Sequence, residues 1–174
     1  MNLTNLCELY PNEPKVKKAI ESFERIKEII QSVLRAVRQG ADQKIQSLDI
    51  NSILKTELKL LDAEEFFKYK VILIEDFGNL KSITGQPAHF SQIFGNLIKN
   101  AIESMYKKEK KELRIHTHQE NNEITIEISD TGCGIAQNDL NHIFDPFYTT
   151  KPLEAKANEP TGTGLGLTSV KKML

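Results

Sequence analysis

The chain has 174 residues, 39% hydrophobic and 27% charged, with 23 Lys and Arg against 24 Asp and Glu and a formal net charge of −1. That is the size and composition of one α/β domain with a short appendage, and it excludes a disordered, collagenous or transmembrane chain. The balanced charge leaves no electrostatic footprint for nucleic acid, and no apolar run approaches the roughly 20 residues that span a bilayer, so any membrane anchor must lie on polypeptide outside this chain.

From Val16 the apolar residues Ala19, Phe23, Ile26, Ile30, Val33 and Val37 recur at alternating spacings of three and four, a heptad seam. Ile20, Ile29 and Leu34 widen that seam, and Glu21, Glu24, Lys27 and Glu28 fill the opposite face. A helix over about 14–39 is expected, opened by Pro14 and stopped by Gly40. Such a seam is best buried in a bundle of three or four helices, so a homodimer through this helix is expected, the other arrangement being packing against the rest of the chain.

Leu48-Asp49-Ile50 reads as a short strand leading into a helix with Ile53, Leu54, Leu58 and Leu61, capped by Asp49 or Asn51. The β-branched run from Tyr69 to Asp76 predicts a strand, ended by Gly78-Asn79. Pro87 opens the clearest helix. In it Phe90, Ile93, Phe94, Leu97, Ile98, Ala101, Ile102 and Met105 follow the i, i+3, i+4, i+7 rule. After a lysine-rich loop, Leu113, Ile115 and Thr117, then Ile124, Ile126 and Ile128, alternate with polar residues about Asn121-Asn122, which predicts a hairpin with one buried face. Helices, strands and helix in this order describe a two-layer α/β sandwich with its helices on one face of a mixed sheet. Cys7 and Cys133 are far apart and form no disulfide framework, so a reducing compartment, by default the cytoplasm, is expected.

Three elements carry chemistry. Asn96 and Asn100 are neighbours on one face of the Pro87 helix, continued by Gln92 and Glu103. Asparagine carbonyls are neutral ligands suited to a hard cation such as Mg²⁺, or simply hydrogen-bonded structure. Asp130-Thr131-Gly132-Cys133-Gly134 places a carboxylate and two glycines at the end of a strand, where backbone approaches a flat ligand closely and a carboxylate accepts from an exocyclic amine. An ordinary turn has the same appearance. Thr161-Gly162-Thr163-Gly164-Leu165-Gly166-Leu167 is a glycine-rich loop opening a helix, suited to phosphate. It lacks the Lys-Ser/Thr ending of a P-loop and follows no predicted strand, which disfavours a Rossmann site. Between the last two elements the aromatic run Phe144 to Lys151, with a stretch poor in apolar residues after it, fits a mobile lid over 146–161.

The order and spacing of these elements resemble the sensor histidine kinases of two-component systems, within the gyrase, heat-shock chaperone, histidine kinase and MutL superfamily. Asn96-Leu-Ile-Lys-Asn100-Ala-Ile-Glu resembles the N box and Asp130-Thr-Gly-Cys-Gly134 the first glycine box. Phe144-Asp-Pro-Phe147 is similar to the F box and Gly162-Thr-Gly-Leu-Gly-Leu167 to the second glycine box. The wording FDPFYTTK and NAIES is closest to a nitrogen-regulation-like subgroup. The resemblance implies a Bergerat-type ATP-binding fold over 46–174, preceded in 1–45 by part of a dimerisation hairpin whose second helix is the 14–39 segment.

It further implies ATP and Mg²⁺ as cofactors, with Asn100 holding the metal and Asn96 near the phosphates. Asp130 would take the adenine amine beside Gly132 and Gly134. The glycines Gly162, Gly164 and Gly166, with Thr161, Thr163, Leu165 and Leu167 around them, would cradle the triphosphate near Phe144 and Phe147. Lys151 would reach the phosphates or remain solvated. In the family the γ-phosphoryl group passes to a histidine on the first hairpin helix and then to a response regulator receiver domain. Here His89, His116, His118 and His142 all lie outside the 14–39 helix, so that histidine is absent from this chain. The implied reading is a partial kinase, lacking its first hairpin helix and its two C-terminal strands, with an exposed sheet edge. A dimeric docking module for a response regulator, or a serine kinase or ATPase of the same superfamily, are the alternatives. Superfamily members that hydrolyse ATP steadily carry a glutamate where Asn96 stands, so steady hydrolysis is not expected.

Overall fold

A computed structural model describes residues 44–61, 65–152 and 160–174. The expected helix over 14–39 and residues 153–159 of the expected lid lie outside them. The chain divides into two compact units, 43–148 with 164–174 and 1–42 with 149–163, and every element below belongs to the first.

Strand β1 (Gln46–Leu48) leads into helix α1 (Ile50–Leu61). Of the two candidate caps, Asp49 is the one used. Its Oδ1 accepts from the backbone N–H of Ser52 at 3.1 Å, satisfying one of the first-turn donors that a helix leaves unpaired. Asn51 turns inward instead. Its Nδ2 donates to the carbonyl of Gly78 at 2.9 Å and its Oδ1 accepts from the Thr117 hydroxyl at 2.9 Å.

The expected strand from Tyr69 needs correction at its start, because Tyr69 and Lys70 belong to helix α2 (Glu65–Lys70) and strand β2 covers Ile72–Phe77. The reason is tertiary. Phe67 is buried in the core, Phe66 stacks on Tyr106 with ring centroids 5.4 Å apart, and the helical pattern carries on to Val71, whose N–H donates to the Phe67 carbonyl. Burial of the Phe67 ring and packing of the partly buried Phe66 outweigh the β preference of the residues that follow. Strand β3 (Ile83–Gly85), antiparallel to β1 with Leu48 opposite Ile83, has no counterpart in the sequence reading. Two three-residue strands are too short to show alternation.

Helix α3 (Pro87–Ser104) opens on its proline, as expected, and buries Ile93, Phe94, Ile98, Ala101 and Ile102. Strands β4 (Glu112–Glu120) and β5 (Glu123–Asp130) form the expected hairpin. Asn121 and Asn122 have φ of 46° and 73°, the two successive left-handed residues of a twist-matched two-residue turn. In the sheet order β2-β4-β5, β2 runs parallel to β4 and β4 antiparallel to β5, a mixed sheet. Leu113, Ile115 and Thr117 are fully buried and Ile126 and Ile128 pack beside them, under α1 and α3. Arg114 and Glu127 are exposed on the opposite face, and His116 and His118 share it. Helix α4 (Gly166–Met173) completes the layer against α3.

One polar cluster crosses this core. Thr117, fully buried, donates to Asn51 and accepts from the N–H of Gly78. A Cβ on Gly78 would stand 2.5 Å from the Thr117 carbonyl, so glycine is required where β2 ends. The cluster pins the start of α1 to β2 and β4 through satisfied buried groups. Thr117→Val keeps the shape but orphans the Asn51 carbonyl oxygen, and is expected to lower unfolding free energy by about 1–3 kcal/mol in urea titration; an unchanged midpoint would show that these bonds contribute nothing net.

Candidate functional site

The polar strip of α3 meets the start of α4. Asn96 and Asn100 are half-buried one turn apart, and Asn96 Nδ2 donates to the carbonyl of Gly166 at 3.2 Å. A Cβ on Gly166 would lie 3.8 Å from Asn96 Cγ and 4.0 Å from Asn100 Nδ2, so both asparagines border the first residue of α4. The residue before the helix, Leu165, is its N-cap, and no side chain caps it. The amides of Gly166 and Leu167 thus receive no bond from a capping side chain, and the positive end of the helix dipole lies at them, while the Ser169 N–H is already bonded to the Leu165 carbonyl.

At the other end of the strip, Asp130 closes β5. Its Oδ1 accepts from the Ser104 hydroxyl at 2.7 Å and from the Gly132 N–H at 2.8 Å. Gly132 approaches α3 so closely that a Cβ there would overlap the Ser104 hydroxyl, which explains the glycine. The next amide, of Cys133, donates to the Ser104 carbonyl at 3.3 Å. Gly134 has φ of 70° and open space where a Cβ would be, a left-handed residue at the exposed side of the turn. Thr131 locks the turn from beneath: its hydroxyl donates to the Lys110 carbonyl and accepts from the Glu112 N–H.

The aromatic segment is tied to α4. Thr168 donates to the carbonyl of Phe144 at 3.1 Å, and Lys171 Nζ lies 5.5 Å above the Phe144 ring. Phe147 has φ of 64°, rare for a bulky residue, and its N–H donates to the Gly164 carbonyl at 3.0 Å. Gly164 has φ of 68°, and a Cβ there would fall on the Phe147 backbone. The two left-handed residues thus face each other with no room for a side chain at position 164. Beside them Tyr148 donates to Asp139 Oδ1 at 2.6 Å, and His142 Nδ1 lies 2.8 Å from Asp145 Oδ2.

Lys151, Thr161, Gly162 and Thr163 fall in the second compact unit, where a Cβ on Gly162 would meet Thr149 Oγ1 at 2.6 Å and Lys151 Cδ at 3.1 Å. Lys151 is thereby brought beside Gly162, and its N–H donates to Thr149 Oγ1 at 3.1 Å. Among the histidines, His89 stands in the first turn of α3 and His116 pairs with Asp76 at 2.8 Å. No group of three or more His, Cys, Asp or Glu able to hold a metal occurs among the described residues. Nor, among them, is any helix long and apolar enough to cross a membrane. Ser104 escaped the sequence reading, although the spacing 96, 100, 104 places it on the same helical face. Thr168, buried and bonded to the aromatic segment, also escaped it, with no comparable signal.

A family profile described as histidine kinase-, DNA gyrase B- and HSP90-like ATPase matches residues 85–174, and the chain belongs to this family. Within it, the chain is similar to the signal transduction histidine-protein kinase ArlS of Staphylococcus epidermidis, 29% identical over 166 residues that cover 93% of this chain and 35% of the relative. The Staphylococcus aureus ArlS is 27% identical over the same share. The chain thus spans about a third of the length of these curated relatives. Among solved structures, full-length ShkA in complex with AMPPNP superposes with a TM-score of 0.67 at 22% identity, over 91% of this chain and 32% of that one. The mycobacterial sensor histidine kinase MprB gives 0.61 at 17% identity, over 75% of this chain and 78% of that one. The described residues have the Bergerat-type ATP-binding fold of this family.

Two predictions follow from this geometry. Gly164→Ala forces a side chain into the Phe147 backbone at a left-handed position and is expected to cost about 1–3 kcal/mol, read as a lowered thermal midpoint; an unchanged midpoint would contradict the tight pairing of the two segments. The hydrogen bond from Tyr148 to Asp139 raises the phenol above its usual ionisation range. The bond therefore favours the fold while the phenol is neutral, and its contribution disappears as pH rises through the raised value. In ultraviolet titration the component lost in Tyr148→Phe should ionise above ordinary tyrosine, and Asp139→Asn should bring it down.

Proposed function

We propose that this chain is the part of a sensor histidine kinase that binds ATP with Mg²⁺ and presents the γ-phosphoryl group to a histidine on other polypeptide. A response regulator receiver domain then takes the phosphoryl group. The observation that carries this reading is the disposition of α3: Asn96 and Asn100 border the amino end of α4, while Ser104 and Gly132 hold Asp130 about 12 Å further along the helix axis. A base-selective carboxylate and an anion-attracting helix end, joined by two asparagines, suit the two ends of a nucleoside triphosphate.

In this reading Asp130 accepts the exocyclic amine of adenine, with Gly132 and Gly134 keeping the turn low enough for a flat base. Asn100 offers its side-chain oxygen to the metal and Asn96 stays close to the phosphates. The amides of Gly164, Leu165, Gly166 and Leu167 meet the triphosphate, and Phe144 and Phe147 hold that segment in place. Roles for Lys151, Thr161, Gly162 and Thr163 at the phosphates rest on the family resemblance. Mg²⁺, when bound, neutralises phosphate charge. The protein's own part is positioning: an imidazole nitrogen attacks the γ-phosphorus in line, the bond to the β–γ bridging oxygen breaks, and ADP leaves.

The finer assignments belong to the same proposal. They are the nitrogen-regulation-like subgroup, supported by FDPFYTTK and NAIES; a 1–45 dimerisation segment pairing two chains through the 14–39 helix; a catalytic domain over 46–174; and a cytoplasmic site of action. Calorimetric titration with a non-hydrolysable ATP analogue tests the reading. Binding that strengthens with Mg²⁺ and weakens about tenfold or more in Asp130→Asn is expected. Unchanged affinity in Asp130→Asn would remove the adenine assignment, and rapid steady ATP hydrolysis by the chain alone would count against a kinase.

A further inference from the structure

Resting on the reading of Asp130 as the adenine acceptor, we infer that Ser104 is the positioning residue that sets this site's choice of base. Ser104 is the last residue of α3, two turns beyond Asn96. Its hydroxyl lies 2.7 Å from Asp130 Oδ1 and 2.7 Å from the carbonyl of Ala101, one turn back. A hydroxyl carries one proton, and the carboxylate is the stronger acceptor, so the charge-assisted bond is the one that takes it. The Ala101 carbonyl is the competing acceptor for that one proton.

The second donor to the same oxygen is the Gly132 N–H. Each hydrogen bond that described residues make to this carboxylate therefore falls on Oδ1, leaving Oδ2 to accept from a ligand. An aspartate at the exposed end of a strand otherwise samples several rotamers. Here one donor comes from the helix and one from the turn, and together they fix both the rotamer and the plane of the carboxylate. The fit is specific to small residues. Gly132 has no room for a Cβ against Ser104, and the Cys133 N–H bonds the Ser104 carbonyl, so the turn is stitched to the end of α3 at both the side chain and the backbone of one residue.

An oriented Oδ2 accepts from the exocyclic amine of adenine and repels the carbonyl oxygen that guanine carries at the same position. Orientation by Ser104 therefore acts on discrimination between bases and not on the phosphate end of the site. The hydroxyl itself touches no ligand in this arrangement; it works through Asp130.

A double-mutant cycle tests this, read by calorimetric titration of the 174-residue chain with the imido analogues of ATP and GTP and controlled by matched circular dichroism spectra. Ser104→Ala should weaken the ATP analogue about tenfold and narrow its advantage over the GTP analogue. The same change made in Asp130→Ala should cost nothing further. Equal losses in both backgrounds would overturn the positioning role. A loss in Asp130→Ala with none in Ser104→Ala would overturn it while leaving the adenine assignment standing. No loss in Asp130→Ala would remove the assignment and the inference together. The near-isosteric pair Ser104→Thr and Ser104→Val isolates the hydroxyl should Ser104→Ala disturb folding: Thr should keep the preference for the adenine analogue and Val lose it, and equal behaviour would contradict the inference.

Discussion

Helix α3 has to bury one face in the core and keep another polar, and the candidate site depends on how it does so. Its apolar stripe, Ile93, Phe94, Ile98, Ala101 and Ile102, is buried against the sheet and α1, which fixes the rotation of the helix about its axis. Once that rotation is set, the adjacent polar strip cannot choose its surroundings. Asn96 and Asn100 are delivered to the start of α4, and Ser104 to the end of β5. The burial that holds the layers together therefore aligns the polar groups as well, and a change that rotates α3 by even a fraction of a turn would misplace both ends of the site together.

The second constraint is steric. Gly164 and Phe147 face each other in left-handed conformations, with the Phe147 N–H bonded to the Gly164 carbonyl and Thr168 bonded to Phe144. Left-handed backbone at a phenylalanine persists only where its surroundings over-determine it. Here they do so through α4, whose first turn is the candidate anion site. The aromatic segment thus acts as a backing for the amino end of α4, which gives a physical reason for two phenylalanines so near a glycine-rich loop when Phe147 is largely exposed.

Much of this was legible in the sequence because the relevant signals are periodic. The α3 stripe runs without a miss, and the β4–β5 alternation about Asn121-Asn122 specifies strands, turn and buried face together. The candidate site residues stand out in the sequence as motifs whose order resembles that of a known family. What the sequence hid is tertiary or very short: β3 has three residues, β1 covers Gln46–Leu48 where a strand over 48–50 is expected because Asp49 caps α1 and Ile50 begins it, and α2 takes in Tyr69 and Lys70 because Phe66 and Phe67 pack as helical residues. The inward role of Asn51 depends on Thr117 and Gly78, far from it in sequence. Ser104 lay on the correct helical face, but its bond to Asp130 joins residues 26 apart and has no local signature.

We propose that the α3 strip, the turn after β5 and the amino end of α4 form one nucleotide site. Amide chemical shifts of the isotope-labelled chain, followed while a non-hydrolysable ATP analogue and Mg²⁺ are added, test it most directly. Concerted shifts are expected in the side-chain amides of Asn96 and Asn100 and in the backbone of Gly132 to Gly134 and Gly164 to Leu167, with the Arg114, His116 and His118 face of the sheet unmoved. Shifts confined to that opposite face, or to only one end of the α3 strip, would contradict it.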